Sequence, residues 1–196
     1  MRITSILLTQ KVNPSKKTIK SLLWTWLGCI VLSAILALLS GCATRGFPPS
    51  GAILNFDNVD KYVCRGAQEN VVGVEFLKSQ KVTLVINLVN TNKYWHREGE
   101  AVISQGIKYD WVPLNGFTAP SKEKMEYILK LIQDEIASEG KVYIHCEHGC
   151  DRTGTVVACY EIRVYHVSNK DAQNDADIHG MSKWEVEMRH FIAKFK

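Results

Sequence analysis

The sequence is short of proline, with 5 in 196 residues, and carries 13 glycines. That excludes a collagen-like chain and a Pro/Gly-rich disordered one. No internal repeat or low-complexity tract interrupts it. Acidic residues are missing from positions 1–41, where Arg2, Lys11, Lys16, Lys17 and Lys20 are the only charged side chains. Setting those five aside leaves 19 basic residues against 20 acidic ones in 42–196, so the formal charge of +4 becomes −1. No basic run survives there, which argues against a nucleic-acid partner. No His/Cys cluster has zinc-site spacing, so neither a metal nor another cofactor is expected. With 46% hydrophobic and 22% charged residues, the chain reads as one globular domain plus a targeting segment.

Positions 22–39, LLWTWLGCIVLSAILALL, are apolar or small throughout and follow the cationic stretch. Small residues Ser40 and Gly41 and then Cys42 come next. This is the layout of a secretory signal. Leu39-Ser40-Gly41-Cys42 resembles the lipobox of bacterial lipoproteins, in which the chain is cut before the cysteine and the cysteine carries the lipid. The alternative is an uncleaved anchor, for which eighteen apolar positions barely span a bilayer. Both readings place the rest outside the inner membrane. The lipobox reading expects a signal over 1–41, a lipidated linker over 42–52 and a folded domain over 53–196. By the same resemblance, Ala43 points to a periplasm-facing lipoprotein of the outer membrane.

Within the folded part, apolar runs and periodicity predict strands over 60–65, 82–88, 107–112 and 142–145. Helices are expected over 71–80, 93–105, 121–139, 153–167 and 182–195. The third helix has the clearest pattern, with Met125, Ile128, Leu129, Ile132 and Ile136 on one face. Alternating strands and helices give an α/β fold, a mostly parallel sheet flanked by helices on both faces. Ligands in such folds bind beyond the carboxyl ends of strands.

One such end carries His145-Cys146-Glu147-His148-Gly149-Cys150-Asp151-Arg152-Thr153-Gly154. A tight strand-to-helix turn aims successive backbone N–H groups at one point and makes an anion nest. The following helix adds its partial positive charge. Arg152 is placed to clamp two phosphoryl oxygens with its planar fork. A phosphate would then sit over Cys146 in surroundings that favour a thiolate. Gly149 permits a backbone conformation that a side chain would forbid.

The stretch resembles the HC-x5-R-[ST] signature of cysteine-dependent protein tyrosine and dual-specificity phosphatases. Tyr62-Val63-Cys64-Arg65-Gly66-Ala67-Gln68, Val85-Ile86-Asn87-Leu88 and Val112-Pro113-Leu114 extend the likeness over roughly 59–195. The resemblance implies a dual-specificity-phosphatase-like fold. It also implies that Cys146 attacks phosphorus, Arg152 holds the phosphoryl group, Thr153 hydrogen-bonds the sulfur and His145 orients the loop. Glu147, His148, Gly149, Cys150 and Gly154 would line the substrate. The expected substrate is a phosphorylated protein, phosphotyrosine above all, or a small phosphomonoester.

The chain departs from the family where the leaving group needs a proton. Asn115 stands about where small bacterial relatives often show Asp, and Asn is no acid. Asp151, inside the loop, and Asp110, before it, are the two candidate acids. The missing upstream Asp keeps a phosphate-binding pseudophosphatase open. Glu147 after the cysteine resembles the HCEAG loop of cysteine-type phytases, which keeps inositol phosphates open. Cys64 and Cys150 are candidate disulfide partners for Cys146, and Cys159 reads as core. His179 and Trp184 match a spacing of small bacterial relatives and are candidates to close over the site.

Overall fold

The structure, a computed structural model, describes residues 53–69, 71–90 and 95–196. The signal, Cys42 and the linker expected over 1–52 lie outside the described residues. Five strands form one sheet: β1 (Asp57–Asn58), β2 (Val63–Ala67), β3 (Leu84–Asn87), β4 (Lys108–Trp111) and β5 (Val142–Cys146), in the order β1-β2-β5-β3-β4. β1 is an antiparallel edge, and the other pairings are parallel. Six helices are described: α1 (Val71–Ser79), α2 (Trp95–Ser104), α3 (Lys122–Ala137), α4 (Asp151–Tyr165), α5 (Asn169–Ile178) and α6 (Val186–Lys194).

The two-residue period of the strands sorts the core into two layers. Val63, Leu84, Ile86, Val142, Ile144 and Cys146 face α3 to α6. Cys64, Val85 and Tyr143 face the other way, toward Val74 and Leu77 of α1 and Val102 of α2. The expected fold, a mostly parallel sheet covered on both faces, is the one observed. α3 follows its pattern closely: Ser121 caps it by accepting from the Lys124 N–H at 3.2 Å, and Met125, Ile128, Leu129 and Ile132 are buried. Each such side chain contributes about 1.5–3 kcal/mol through burial.

Several elements differ from expectation. Asp60 to Tyr62 form no strand, because Asp60 Oδ1 accepts from the backbone N–H groups of Tyr62 and Val63 and makes a turn. The helix expected at 153 begins two residues earlier, at Asp151. A helix absent from the expectation, α5, forms at 169–178, and the last helix, α6, starts at Val186 rather than 182, leaving Trp184 outside it and 83% exposed. α5 reads NKDAQNDADI and buries only Ala172 and Ala176, too weak an apolar stripe to show in the sequence. Ser168 starts it by accepting from the Asp171 N–H at 3.1 Å.

Candidate active site

β5 lies between β2 and β3, so its carboxyl end is flanked by two parallel strands. Cys146 is the last residue of β5, level with Ala67, and is 3% exposed. The chain then turns through four residues into α4. Gly149 makes the turn possible: its φ is +74°, and a Cβ there would lie 2.4 Å from the Gly66 carbonyl carbon. The turn is clamped from outside. Arg65 Nη2 and Asn55 Nδ2 both donate to the Gly149 carbonyl, at 3.0 and 3.1 Å, and the Gln68 N–H donates to the Glu147 carbonyl at 3.3 Å. His145 is tied by its carbonyl to the Leu88 N–H at 2.9 Å.

Arg152 sits in the first turn of α4 rather than in the loop. Its guanidinium donates to Asn90 Oδ1 at 3.4 Å and stands 3.9 Å from Glu147 Oε2, so it spans the mouth between the loops after β3 and β5. Thr153 Oγ1 is buried and has no hydrogen-bond partner, so the expected bond to the Cys146 sulfur is not formed here. Glu147 and His148 are exposed at the rim, and Gly149 and Cys150 are buried beneath it. Gly154 does not face the anion nest. Its N–H donates to the Cys150 carbonyl at 2.8 Å, and a Cβ there would meet Ala176 of α5 at 3.4 Å, so it serves helix packing.

The two candidate acids separate. Asp110 pairs with Ile86 inside β4, level with Ile144. At strand spacings this puts its backbone two strands aside and two residues behind Cys146, roughly 12 Å away, so Asp110 is not brought to the site. Asp151 is half-buried at the start of α4, and its Oδ1 accepts from the Ser182 N–H at 2.7 Å. Burial pushes its carboxyl above the usual carboxylate range, against the lowering pull of the Ser182 bond, Arg152 and His148. Asn115 is used as a turn residue, its Oδ1 accepting from the Phe117 N–H at 2.8 Å.

The cysteine pairing is also corrected. Cys64 is level with Tyr143, about 10 Å along the strands from Cys146, too far to bridge. Cys64, Cys146 and Cys159 are free thiols, so Cys146 is bridged to neither Cys64 nor Cys150. Burial raises the Cys64 thiol to about 12. His179 forms no lid. It is buried between Asp57, 3.1 Å away, and Asp175, 3.3 Å away, while its carbonyl accepts from Asn55.

Sequence reasoning missed two supporting groups. Arg65, wholly buried, joins the Gly149 carbonyl to Asp175 of α5 at 3.4 Å. On the opposite face of β5, His145 points away from Cys146 toward Glu98 of α2, at 2.9 Å, and Glu69, at 3.7 Å. Burial lowers the His145 pKa, yet the two carboxylates outweigh it and carry it up to about 9. Asn87 donates to Glu98 Oε2 at 2.9 Å and accepts from the Val89 N–H at 2.7 Å.

A buried cysteine at a strand end, a tight turn through Gly149 and an arginine in the first turn of the following helix have the arrangement of the cysteine-dependent tyrosine and dual-specificity phosphatases. Residues 63–166 match the family described as "Polymorphic toxin system, DSP-PTPase phosphatase", and the chain belongs to that family. It is 28% identical over 130 residues to the mRNA-capping enzyme of Mus musculus, covering 61% of this chain and 21% of that one. It is 26% identical over 110 residues to a tyrosine-protein phosphatase of Autographa californica nuclear polyhedrosis virus, covering 54% and 64%. The chain thus spans about a fifth of the capping enzyme's length. Among solved structures, P. aeruginosa TpbA, in a cysteine-to-serine form in complex with pTyr, superimposes with a TM-score of 0.63. Its identity is 18%, over 76% of this chain and 88% of that one.

Proposed function

We propose that the chain hydrolyses phosphotyrosine or a similar aryl or protein phosphate through a cysteinyl-phosphate on Cys146. The observation that carries this reading is the placement of Cys146 under a loop whose Gly149 holds φ +74°, with Arg152 in the helix turn beyond. The Cys146 sulfur attacks phosphorus, and the P–O bond to the leaving group breaks. Asp151, whose carboxyl burial pushes above the usual carboxylate range, is placed to give the departing oxygen its proton. Water then displaces the sulfur, returning a proton to Asp151, while the unpartnered Thr153 hydroxyl is free to hydrogen-bond the leaving thiolate. Arg152 and the loop amides stabilise the equatorial oxygens in both steps. Wild-type chain should hydrolyse p-nitrophenyl phosphate, and Cys146→Ser should abolish this while still binding inorganic phosphate. No turnover of any phosphate ester by the wild type would leave the phosphate-binding pseudophosphatase.

Asn115 favours a second reading of the substrate. With a turn-forming amide in the acid's usual loop, the site suits leaving groups that depart with little protonation, aryl phosphates and phosphoanhydrides, over alkyl esters such as inositol phosphates. Rates on p-nitrophenyl phosphate, a nucleoside triphosphate and phytate separate these classes. Export and lipidation on Cys42, with the domain facing the periplasm from the outer membrane, belong to the same proposal. Mass spectrometry of the mature chain should find acylated Cys42 at its N-terminus. A mature chain that retains residues 1–41 would contradict this.

A further inference from the structure

We propose that Glu69, Glu98 and His145 form a binding site for one divalent transition-metal ion, zinc by its donor set, behind the phosphate loop. Three elements bring these residues together: the segment after β2, helix α2 and strand β5. The side chains of Glu69 and His145 are entirely buried, and Glu98 is nearly so. Four of their atoms have no hydrogen-bond partner: both carboxylate oxygens of Glu69, Oε1 of Glu98 and Nε2 of His145. His145 Nε2 and Glu98 Oε1 are 2.9 Å apart, an ion-pair contact. Burying so many orphaned polar atoms is costly unless something fills the space between them.

The spacing fits an ion. Ligand atoms about 2.0–2.2 Å from a tetrahedral Zn²⁺ stand roughly 3.4 Å from one another. The His145–Glu98 and His145–Glu69 separations, 2.9 and 3.7 Å, bracket that value. One donor atom from each of the three residues lies within 4.8 Å of the others.

The surrounding groups hold the ligands as metal ligands are held. Glu98 Oε2 accepts from Gln68 Nε2 at 2.7 Å and Asn87 Nδ2 at 2.9 Å, which leaves Oε1 facing inward. His145 Nδ1 is 3.4 Å from the Cys146 carbonyl, and Tyr143 stacks on the ring at 5.5 Å. Such outer partners fix the tautomer and orientation of a ligating histidine. The ion would clamp α2 to β5 one residue behind the nucleophile, as a structural group on the sheet face away from the substrate.

The test uses the full-length chain carrying Cys146→Ser, which removes the competing active-site thiolate. After chelator treatment and reloading with Zn²⁺, elemental analysis should find one ion per chain. Glu69→Gln and Glu98→Gln should each weaken its retention at least tenfold. Loading with Co²⁺ provides a second measurement that needs no carboxylate variant, in case those fail to fold. Visible absorption of a four- or five-coordinate site without sulfur-to-metal charge transfer is expected. No retained ion, retention unchanged in both folded variants, or a thiolate charge-transfer band would overturn the proposal.

Discussion

At its carboxyl end β5 turns Cys146 toward one face of the sheet and His145 toward the other. The front face gathers cations: Arg65 beneath the loop and Arg152 across its mouth. The back face gathers carboxylates, Glu69 and Glu98, around His145. One residue step separates a site built for a phosphate dianion from one built around a cation. The difference shows that the two-residue period of a strand can run two opposite electrostatic environments side by side. The front does chemistry, and the back holds the strand that presents it.

The largest effect should come from the front. Cys146→Ser should lower aryl-phosphate turnover by roughly 10⁴-fold or more without loss of phosphate binding. Steady-state assays beside phosphate titration check this. Arg152→Lys keeps the charge and loses the fork, so kcat should fall about 10²–10³-fold. An Arg152→Lys enzyme of wild-type kcat would break the assignment of the cationic front.

Asp151→Asn should cost alkyl substrates more than aryl ones, by about 10²-fold. Its raised pKa keeps the wild-type acid protonated to higher pH than an ordinary Asp, so activity should fall as pH rises through that value. In Asp151→Asn that alkaline fall should vanish from the pH–rate profile. Persistence of the limb would remove Asp151 as the acid. Asn115→Asp sharpens the same point, because a carboxyl restored to that loop should raise turnover of alkyl phosphates several-fold.

The smallest effect lies away from both faces. Asp60 accepts from the Tyr160 and Tyr165 hydroxyls at 2.7 and 2.6 Å. Burial works to raise its pKa, but the Tyr165, Tyr160 and backbone bonds prevail and hold it below the usual 3.8. A depressed folded pKa gives stability that is complete above 3.8 and is lost as pH falls through the folded value. Thermal melts should therefore show a loss as pH falls below 3.8 that is smaller in Asp60→Asn.

The front was legible in the sequence because its parts are contiguous. Nine consecutive positions, 145–153, carry the nucleophile, the turn glycine and the arginine. The buried strands were legible for the same reason, since each β-branched run encodes its own burial. What could not be read depends on long-range pairing. Arg65 and Asp175 are 110 positions apart, and Asp175 lies on α5, a helix almost without an apolar stripe. Glu69 and Glu98 belong to no motif, and only the register of β5 against β2 and β3 turns His145 toward them. Asp110 was the carboxylate nearest Asn115 along the chain, and its pairing inside β4 keeps it away from Cys146.

The most direct test is to quench the reaction with p-nitrophenyl phosphate in acid during turnover and map the phosphoryl group by mass spectrometry. The group should sit on Cys146 and be absent from the Cys146→Ser chain. A phosphoryl group on Cys150, or steady turnover with no phosphorylated cysteine, would contradict the account.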